Sequence, residues 1–179
     1  MTKRASKSMK MNKQVVYNHY REYNLPNNRA YYRVWIDKLL KLLDTAQSVM
    51  YKPNILHLKV KLLDGIQLKL VTDRLTKSIT AKSKTKPMFL VKREIDNSQL
   101  GEHYHLAIVV EQQYIKSPCF LLDGVMQQCK LNELVKDYWI CKANIGDWIT
   151  PDELNSLPIN DYKDKAVYWL SYLCKADTA

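Results

Sequence analysis

The chain has no apolar run long enough to cross a bilayer as a helix, and no apolar segment follows its basic N-terminus. These absences exclude a membrane-spanning helix and a secretory signal. The four cysteines, Cys119, Cys129, Cys141 and Cys174, form no Cys-x-x-Cys pair. The common zinc and dithiol motifs are therefore missing, and the thiols are expected to be reduced in a cytoplasmic protein. There is no internal repeat and no low-complexity tract. Acid is in short supply, with 18 Asp and Glu against 28 Lys and Arg and a net charge of +10. That excess favours a polyanionic partner, nucleic acid first and an acidic membrane second. Phenylalanine is scarce, with 2 residues against 12 Tyr and 4 Trp. Tyrosines set among basic residues suit stacking on unpaired bases, although most tyrosines simply pack. What remains is ordinary for a globular protein: 179 residues, 46% hydrophobic and 26% charged, enough for one domain with a sizeable core.

One stretch concentrates the chemistry. Gly101-Glu102-His103-Tyr104-His105-Leu106 runs into Ala107-Ile108-Val109-Val110 and holds two of the four histidines. Side chains at i and i+2 of a strand point to one face, so His103 and His105 project together and Tyr104 faces away. Met88 to Ile95 reads as another strand, and Asp96 to Gly101 is turn material. Folded as an antiparallel hairpin with a tight loop from Asn97 to Leu100, these runs set Glu94 opposite His103. Directly opposed residues share a face. One carboxylate and two imidazoles then converge, a donor set suited to a divalent ion such as Mg²⁺ or Mn²⁺. A slip of one residue would turn Glu94 away and leave Glu102 or Asp96 as its substitute.

Residues 1–13 form a basic leader, expected to be mobile, and residues 14–179 a single domain. Gln14 to Tyr23 reads as a short helix, broken by Pro26 and Asn27-Asn28. A stronger helix is expected from about Arg29 to Met50, with Trp35, Ile36, Leu39, Leu40, Leu42, Leu43 and Val49 as its apolar stripe. Ile55 to Leu62 alternates as a strand, Leu56, Leu58, Val60 and Leu62 facing one way and His57, Lys59 and Lys61 the other. The second face either meets solvent or receives nucleic acid, and His57 is a weaker candidate than Glu94 for the third metal ligand. Asp64-Gly65 is a turn. Val71, Leu75 and Ile79 at spacing four predict a helix from about Thr72. Ser83 to Pro87 is a basic linker into the hairpin, whose second strand runs to about Gln112. Pro118 to Leu122 reads as a short strand closed by Asp123-Gly124, and Val125 to Trp139 as a helix. A short hairpin at Gly146-Asp147 and a helix start at Thr150-Pro151-Asp152-Glu153 follow. Asn160 or Asp161 caps a last helix from about Tyr162 to Lys175.

On that last helix Tyr168, Tyr172 and Lys175 fall on one side. A phenol is a poor nucleophile near neutral pH, because its pKa is about 10. A bound cation that polarises the phosphate, with an ammonium one turn away, answers that weakness. The competing reading is that both tyrosines pack in the core beside Val167, Leu170 and Leu173.

Taken together, His103-Tyr104-His105 followed by hydrophobics and Ser171-Tyr172-Leu173-Cys174-Lys175-Ala176-Asp177-Thr178 resemble the rolling-circle replication initiators, named for a His-hydrophobe-His (HUH) motif. More closely, the chain resembles replication proteins related to the gene II protein of filamentous phages, the inoviruses. The likeness covers about residues 30 to 178, and the region from Leu56 to Thr80 adds to it. The resemblance implies an α/β sandwich (α+β) like that of the HUH endonucleases. A mostly antiparallel central sheet would carry the histidines on its open face, with helices over the other face and the tyrosine helix laid across the site. It implies His103, His105 and Glu94 as ligands of Mg²⁺ or Mn²⁺, Tyr172 as nucleophile, Lys175 as its aid at the phosphate, and Tyr168 as a second nucleophile. The central motif position is Tyr104 rather than an aliphatic residue, a departure from the family pattern. The activity implied is nicking of single-stranded or hairpin origin DNA in a bacterial host, leaving a 5′-phosphotyrosine and a 3′-OH. Lys59, Lys61, Arg74, Lys77, Lys82, Lys84 and Lys86 would hold the DNA backbone. With no helicase part in the chain, unwinding would fall to a host helicase and extension to a host polymerase. Two other classes stay open: a DNA-binding prophage regulator of the same fold without nicking activity, and a metal-dependent phosphodiesterase that uses water.

Overall fold

The computed structural model describes residues 14–26, 30–96, 101–143 and 155–176. The expectations for the leader at 1–13, the tight loop at 97–100, the hairpin at Gly146-Asp147 and the helix start at Thr150 fall outside these residues.

The described chain begins with short strands, β1 (Val15–Tyr17), β2 (His19–Tyr20), β3 (Tyr23–Asn24) and β4 (Ala30–Tyr32). This corrects the helix expected over Gln14 to Tyr23. The segment is rich in β-branched and aromatic residues, which lose side-chain freedom in a helix. Asn18 and Arg21 take positive φ values of 46° and 53°, which end each short strand and turn the chain. β1 pairs antiparallel with β4, and β2 with β3.

Helix α1 (Arg33–Val49) buries Ile36, Leu39, Leu40, Leu43 and Ala46 at the spacing of one helical face. Strand β5 (Pro53–Leu62) follows, then α2 (Leu68–Ser83), which buries Val71, Leu75 and Ile79. Lys84, in the left-handed region at φ 65°, ends α2. β6 (Met88–Asp96) and β7 (Gly101–Glu111) form the expected hairpin, with Glu94 opposite His103.

Helix α3 (Pro118–Leu131) replaces the short strand expected at Pro118 to Leu122. Ser117 caps it by accepting from the Phe120 amide at 3.3 Å, and Pro118 stands in the first turn, where its missing N–H is no loss. The expected turn at Asp123-Gly124 is therefore mid-helix. The helix expected to reach Trp139 stops at Leu131, and Glu133 at φ 55° turns the chain. Val135 to Cys141 becomes strand β8, where a β-branched and aromatic run finds a partner in β5. β9 (Ser156–Pro158) leads into α4 (Ile159–Leu170), which is interrupted at Tyr162. The chain then tightens into a 3₁₀ turn, Ser171–Cys174.

One antiparallel sheet in the order β6-β7-β5-β8 organises the molecule, and β9 pairs with β5 beyond the end of β8. The α/β sandwich is present, with helices on both faces. On one face Leu56, Leu58, Val60, Leu106, Ile108 and Val110 pack against α2 and α3. On the other, Ile55, Ala107 and Val109 pack against α1 and α4. The histidine face is thus not left open along its length. α1 and α4 cover its apolar end, and the 3₁₀ turn lies over its polar end.

Candidate metal centre and the tyrosine turn

Four strands supply the polar end. Antiparallel pairing places Lys92, His105, Lys59 and Trp139 in one row across β6, β7, β5 and β8, all on one face. The next row begins with Glu94 and His103. The preceding row holds Leu90, Ala107, His57 and Cys141.

Glu94, His103 and His105 offer ligand atoms that all lie within 4.8 Å of one another. Nε2 of His105 is 3.1 Å from Nε2 of His103 and 2.8 Å from Oε2 of Glu94. Nε2 of His103 is 3.4 Å from the same oxygen. Two ligands about 2.1 Å from an ion and about 90° apart are themselves about 3 Å apart, so these separations fit one shared cation. Nδ1 of His103 meets the Gly101 carbonyl at 3.1 Å. Donation of that N–H leaves Nε2 with its lone pair toward the centre. Nδ1 of His105 meets Nε2 of His57 at 3.0 Å, and the two rings stack with centroids 5.2 Å apart. His57 therefore orients His105 from behind. It stands on the expected face but is only 5% exposed, wedged between His105 and the edge of Trp169.

The protonation states suit a cation. Burial pushes the His57 imidazole down to about 3, helped by His105 and Lys59. Burial likewise pushes His105 down to about 4, against the pull of Glu94. Both rings are neutral at neutral pH, as ligation by His105 requires. Burial alone would raise the Glu94 carboxyl, but the Lys175 ammonium and His105 outweigh it and hold it down at about 2. The group is a partly buried carboxylate beside two buried imidazoles, and it could hold a metal ion.

Glu94 also reaches outward. Its Oε1 accepts from Nζ of Lys175 at 2.8 Å, and the same ammonium donates to the Tyr172 hydroxyl at 3.2 Å. It lies 4.5 Å from the centre of the Tyr172 ring, whose edge in turn meets His105 at 6.0 Å between centroids. The close approach of Tyr172 and Lys175 has a local cause. Residues three apart eclipse in a 3₁₀ turn, so the tightened winding stacks Lys175 on Tyr172. The same tightening separates Tyr172 from Tyr168. Tyr168, still on α4, packs partly buried against the core cluster that α1 and α4 share. Tyr172 is 38% exposed.

The turn is tied down from both sides. Lys92 donates from Nζ to the Lys175 carbonyl at 3.3 Å, and Tyr31 bridges Lys175 antiparallel. The Ala176 amide donates to the Ala30 carbonyl at 2.8 Å. Lys92 escaped the reading of the sequence, although it stands two residues before Glu94 and so shares its face. Glu102, the substitute ligand, points the other way. It binds Arg93 at 2.6 Å and the Tyr104 hydroxyl at 2.9 Å. The polar Tyr104 in the motif is thereby accounted for: its ring packs beside the α2–α3 core while its hydroxyl finds Glu102.

The basic residues expected to hold DNA are dispersed. Lys59 and Lys61 share the face of the site. Arg74, Lys77 and Lys82 lie on α2, across the sheet. Lys84 and Lys86 precede β6 at the Met88 end, six residues from Glu94, or about 20 Å along a strand. No helix among the described residues is long and apolar enough to cross a membrane.

In comparisons with known proteins, the chain matches no protein-family model and no curated sequence.

Proposed function

We propose that the chain is a replication initiator of phage or prophage origin that nicks single-stranded DNA through Tyr172. One observation carries this reading: the Tyr172 hydroxyl and the Lys175 ammonium stand against the Glu94 carboxylate that faces His103 and His105. The likeness of the two short motifs to the filamentous-phage gene II-like proteins supports it.

Tyr172 Oη attacks the scissile phosphorus in line, forming a P–O bond to the 5′ side as the bond to the 3′ oxygen breaks. The 3′ oxygen leaves as a hydroxyl after taking a proton from solvent, and the phenol proton is lost to solvent. Burial would lower the Lys175 ammonium, but Glu94 and Tyr172 outweigh it and raise it, so it serves as a fixed cation beside the developing phenolate rather than as a base. Glu94 holds that ammonium with one oxygen and faces the histidines with the other. Mg²⁺ or Mn²⁺ held by Glu94, His103 and His105 would supply Lewis-acid neutralisation of the non-bridging phosphate oxygens. Lys92 and β4 keep the tyrosine turn seated. Lys59, Lys61 and the exposed Trp139 beside them would hold the adjoining strand by charge and stacking. The reverse attack by the 3′-OH religates the strand.

The test is a covalent-adduct assay with Mn²⁺ and end-labelled single-stranded DNA from the replicon that encodes the chain. A slow denaturing-gel band carrying the 3′-side fragment, sensitive to chelator and lost in Tyr172→Phe, is expected. Loss only in Tyr168→Phe would move the nucleophile. Cleavage without an adduct would make the protein a water-using phosphodiesterase. Salt-sensitive binding without cleavage would leave a DNA-binding regulator.

A further inference from the structure

Across the sheet from the tyrosine turn, α2 and α3 lie side by side and leave a groove of about 1320 Å³ between them. Its two walls differ. Arg74, Lys77 and Lys82 rise from one face of α2, and Lys116, just before α3, adds a fourth cation. None of these four makes an ion pair with a described residue, and no carboxylate among the described residues lines the groove. The α3 wall is apolar: Phe120, Leu121 and Val125 repeat at helical spacing. Phe120 is 81% exposed, so its ring is almost wholly unburied by this fold. With the partly buried Leu121 and Val125 it forms a contiguous apolar patch, the kind of surface that marks a contact site.

Gly124 sits in the same wall, in the middle of α3. Glycine weakens a helix interior. Nothing in the fold requires it, since a Cβ built there meets no atom within 4 Å and its φ is not positive. A bare position facing a groove permits close approach by another backbone.

We propose that this groove docks an acidic amphipathic helix of a partner protein, with apolar residues on Phe120, Leu121 and Val125 and carboxylates toward Arg74, Lys77 and Lys82. The two-walled geometry is that of helix-in-groove recognition, and the volume exceeds that of most small-molecule sites. Nucleic acid would share the cations and could stack a base on Phe120, but the aliphatic Leu121 and Val125 give it nothing to stack on and suit apolar side chains instead. The inference is independent of the nicking chemistry, and it gives the α2 cations a role that their distance from the tyrosine turn denies them at the site.

Fluorescence anisotropy on the full chain tests it, with a labelled 18-residue helical peptide bearing Leu and Phe on one face and Glu along its flank. Saturable binding is expected, at least tenfold tighter than for a scrambled peptide of the same composition. Phe120→Ser, Gly124→Leu and the double variant Lys77→Glu/Lys82→Glu should each weaken it tenfold or more. Gly124→Leu should keep or raise the Tm, which separates groove filling from unfolding. DNA adduct formation should be unchanged in Phe120→Ser and Gly124→Leu, and peptide binding unchanged in Tyr172→Phe. Equal binding of the scrambled peptide, or no saturable binding, would overturn the proposal. Competition by single-stranded DNA that is lost in the double variant but indifferent to Phe120→Ser would assign the groove to nucleic acid instead. Concentration-dependent dimerisation abolished by Gly124→Leu would assign it to a second copy.

Discussion

The two faces of β5 are built from alternate residues of one strand and do opposite things. Leu56, Leu58 and Val60 face α2 and α3 in a dry core. His57, Lys59 and Lys61 face the tyrosine turn, where His57 is as buried as many core residues yet lives by hydrogen bonding. Burial has different consequences on the two sides. For a leucine it is a direct gain, about 1.5–3 kcal/mol per side chain. For an imidazole it removes the charged form and leaves a neutral ligand, and the loss is offset only by its partners. The apolar face can lose one residue and weaken in proportion, whereas the polar face works as a unit.

Four substitutions or titrations sharpen that contrast. On the proposed function, Tyr172→Phe should lower nicking by about 10³-fold or more, the scale expected of a deleted nucleophile. Its Tm and its affinity for Mn²⁺ should hardly move, because the hydroxyl is not a ligand; single-turnover adduct assays and calorimetry check both. Leu58→Ala, on the opposite face, should do the reverse. It leaves a cavity among fully buried neighbours and should cost about 2–5 kcal/mol in urea unfolding, with metal affinity in the folded fraction unchanged.

His57→Phe probes the boundary between the two. It keeps a ring stacked on His105 but removes the hydrogen bond to Nδ1, so Mn²⁺ affinity by calorimetry should fall about 10- to 100-fold. Stability should change far less than in Leu58→Ala.

The last contrast is a pH dependence centred on the polar face. His57 and His105 titrate at about 3 and 4 when folded, below the usual value of 6.5. The unfolded chain therefore binds more protons between these limits, and stability should fall as pH drops from about 6.5 toward 3. Glu94, held at about 2 against 4.5, extends the loss at lower pH. Leu58→Ala should lower the curve of unfolding midpoint against pH without changing its shape. His105→Ala should flatten it, and an unchanged slope there would remove the histidines from this account.

The hairpin at the centre of the site was legible in the sequence. His103 and His105 alternate within one strand, and only the four residues 97–100 separate that strand from the one carrying Glu94. Period and turn length suffice for such local pairing, and Glu94 fell opposite His103 as expected. The α1 and α2 helices were legible for the same reason, their stripes being local. The errors came where short runs carry two competing signals. Val15 to Tyr17 and Val135 to Cys141 became strands because partners in β4 and β5 were available to them, which no local window contains. Pro118 to Leu122 went the other way because the Ser117 cap and the proline together start a helix.

Residue types and their spacing were enough to specify the three-donor patch, the basic excess and a tyrosine with a lysine three residues on. Long-range pairing supplied the rest. His57 reached His105 through the register of β5 on β7. Lys92 and Tyr31 seated a 3₁₀ turn whose winding brought Lys175 onto Tyr172 and Glu94. The α2 cations were carried to the far side of the sheet by the packing of Val71, Leu75 and Ile79. Side-chain periodicity is a property of neighbours along the chain. Which face meets which is set by the burial of surfaces far apart in sequence.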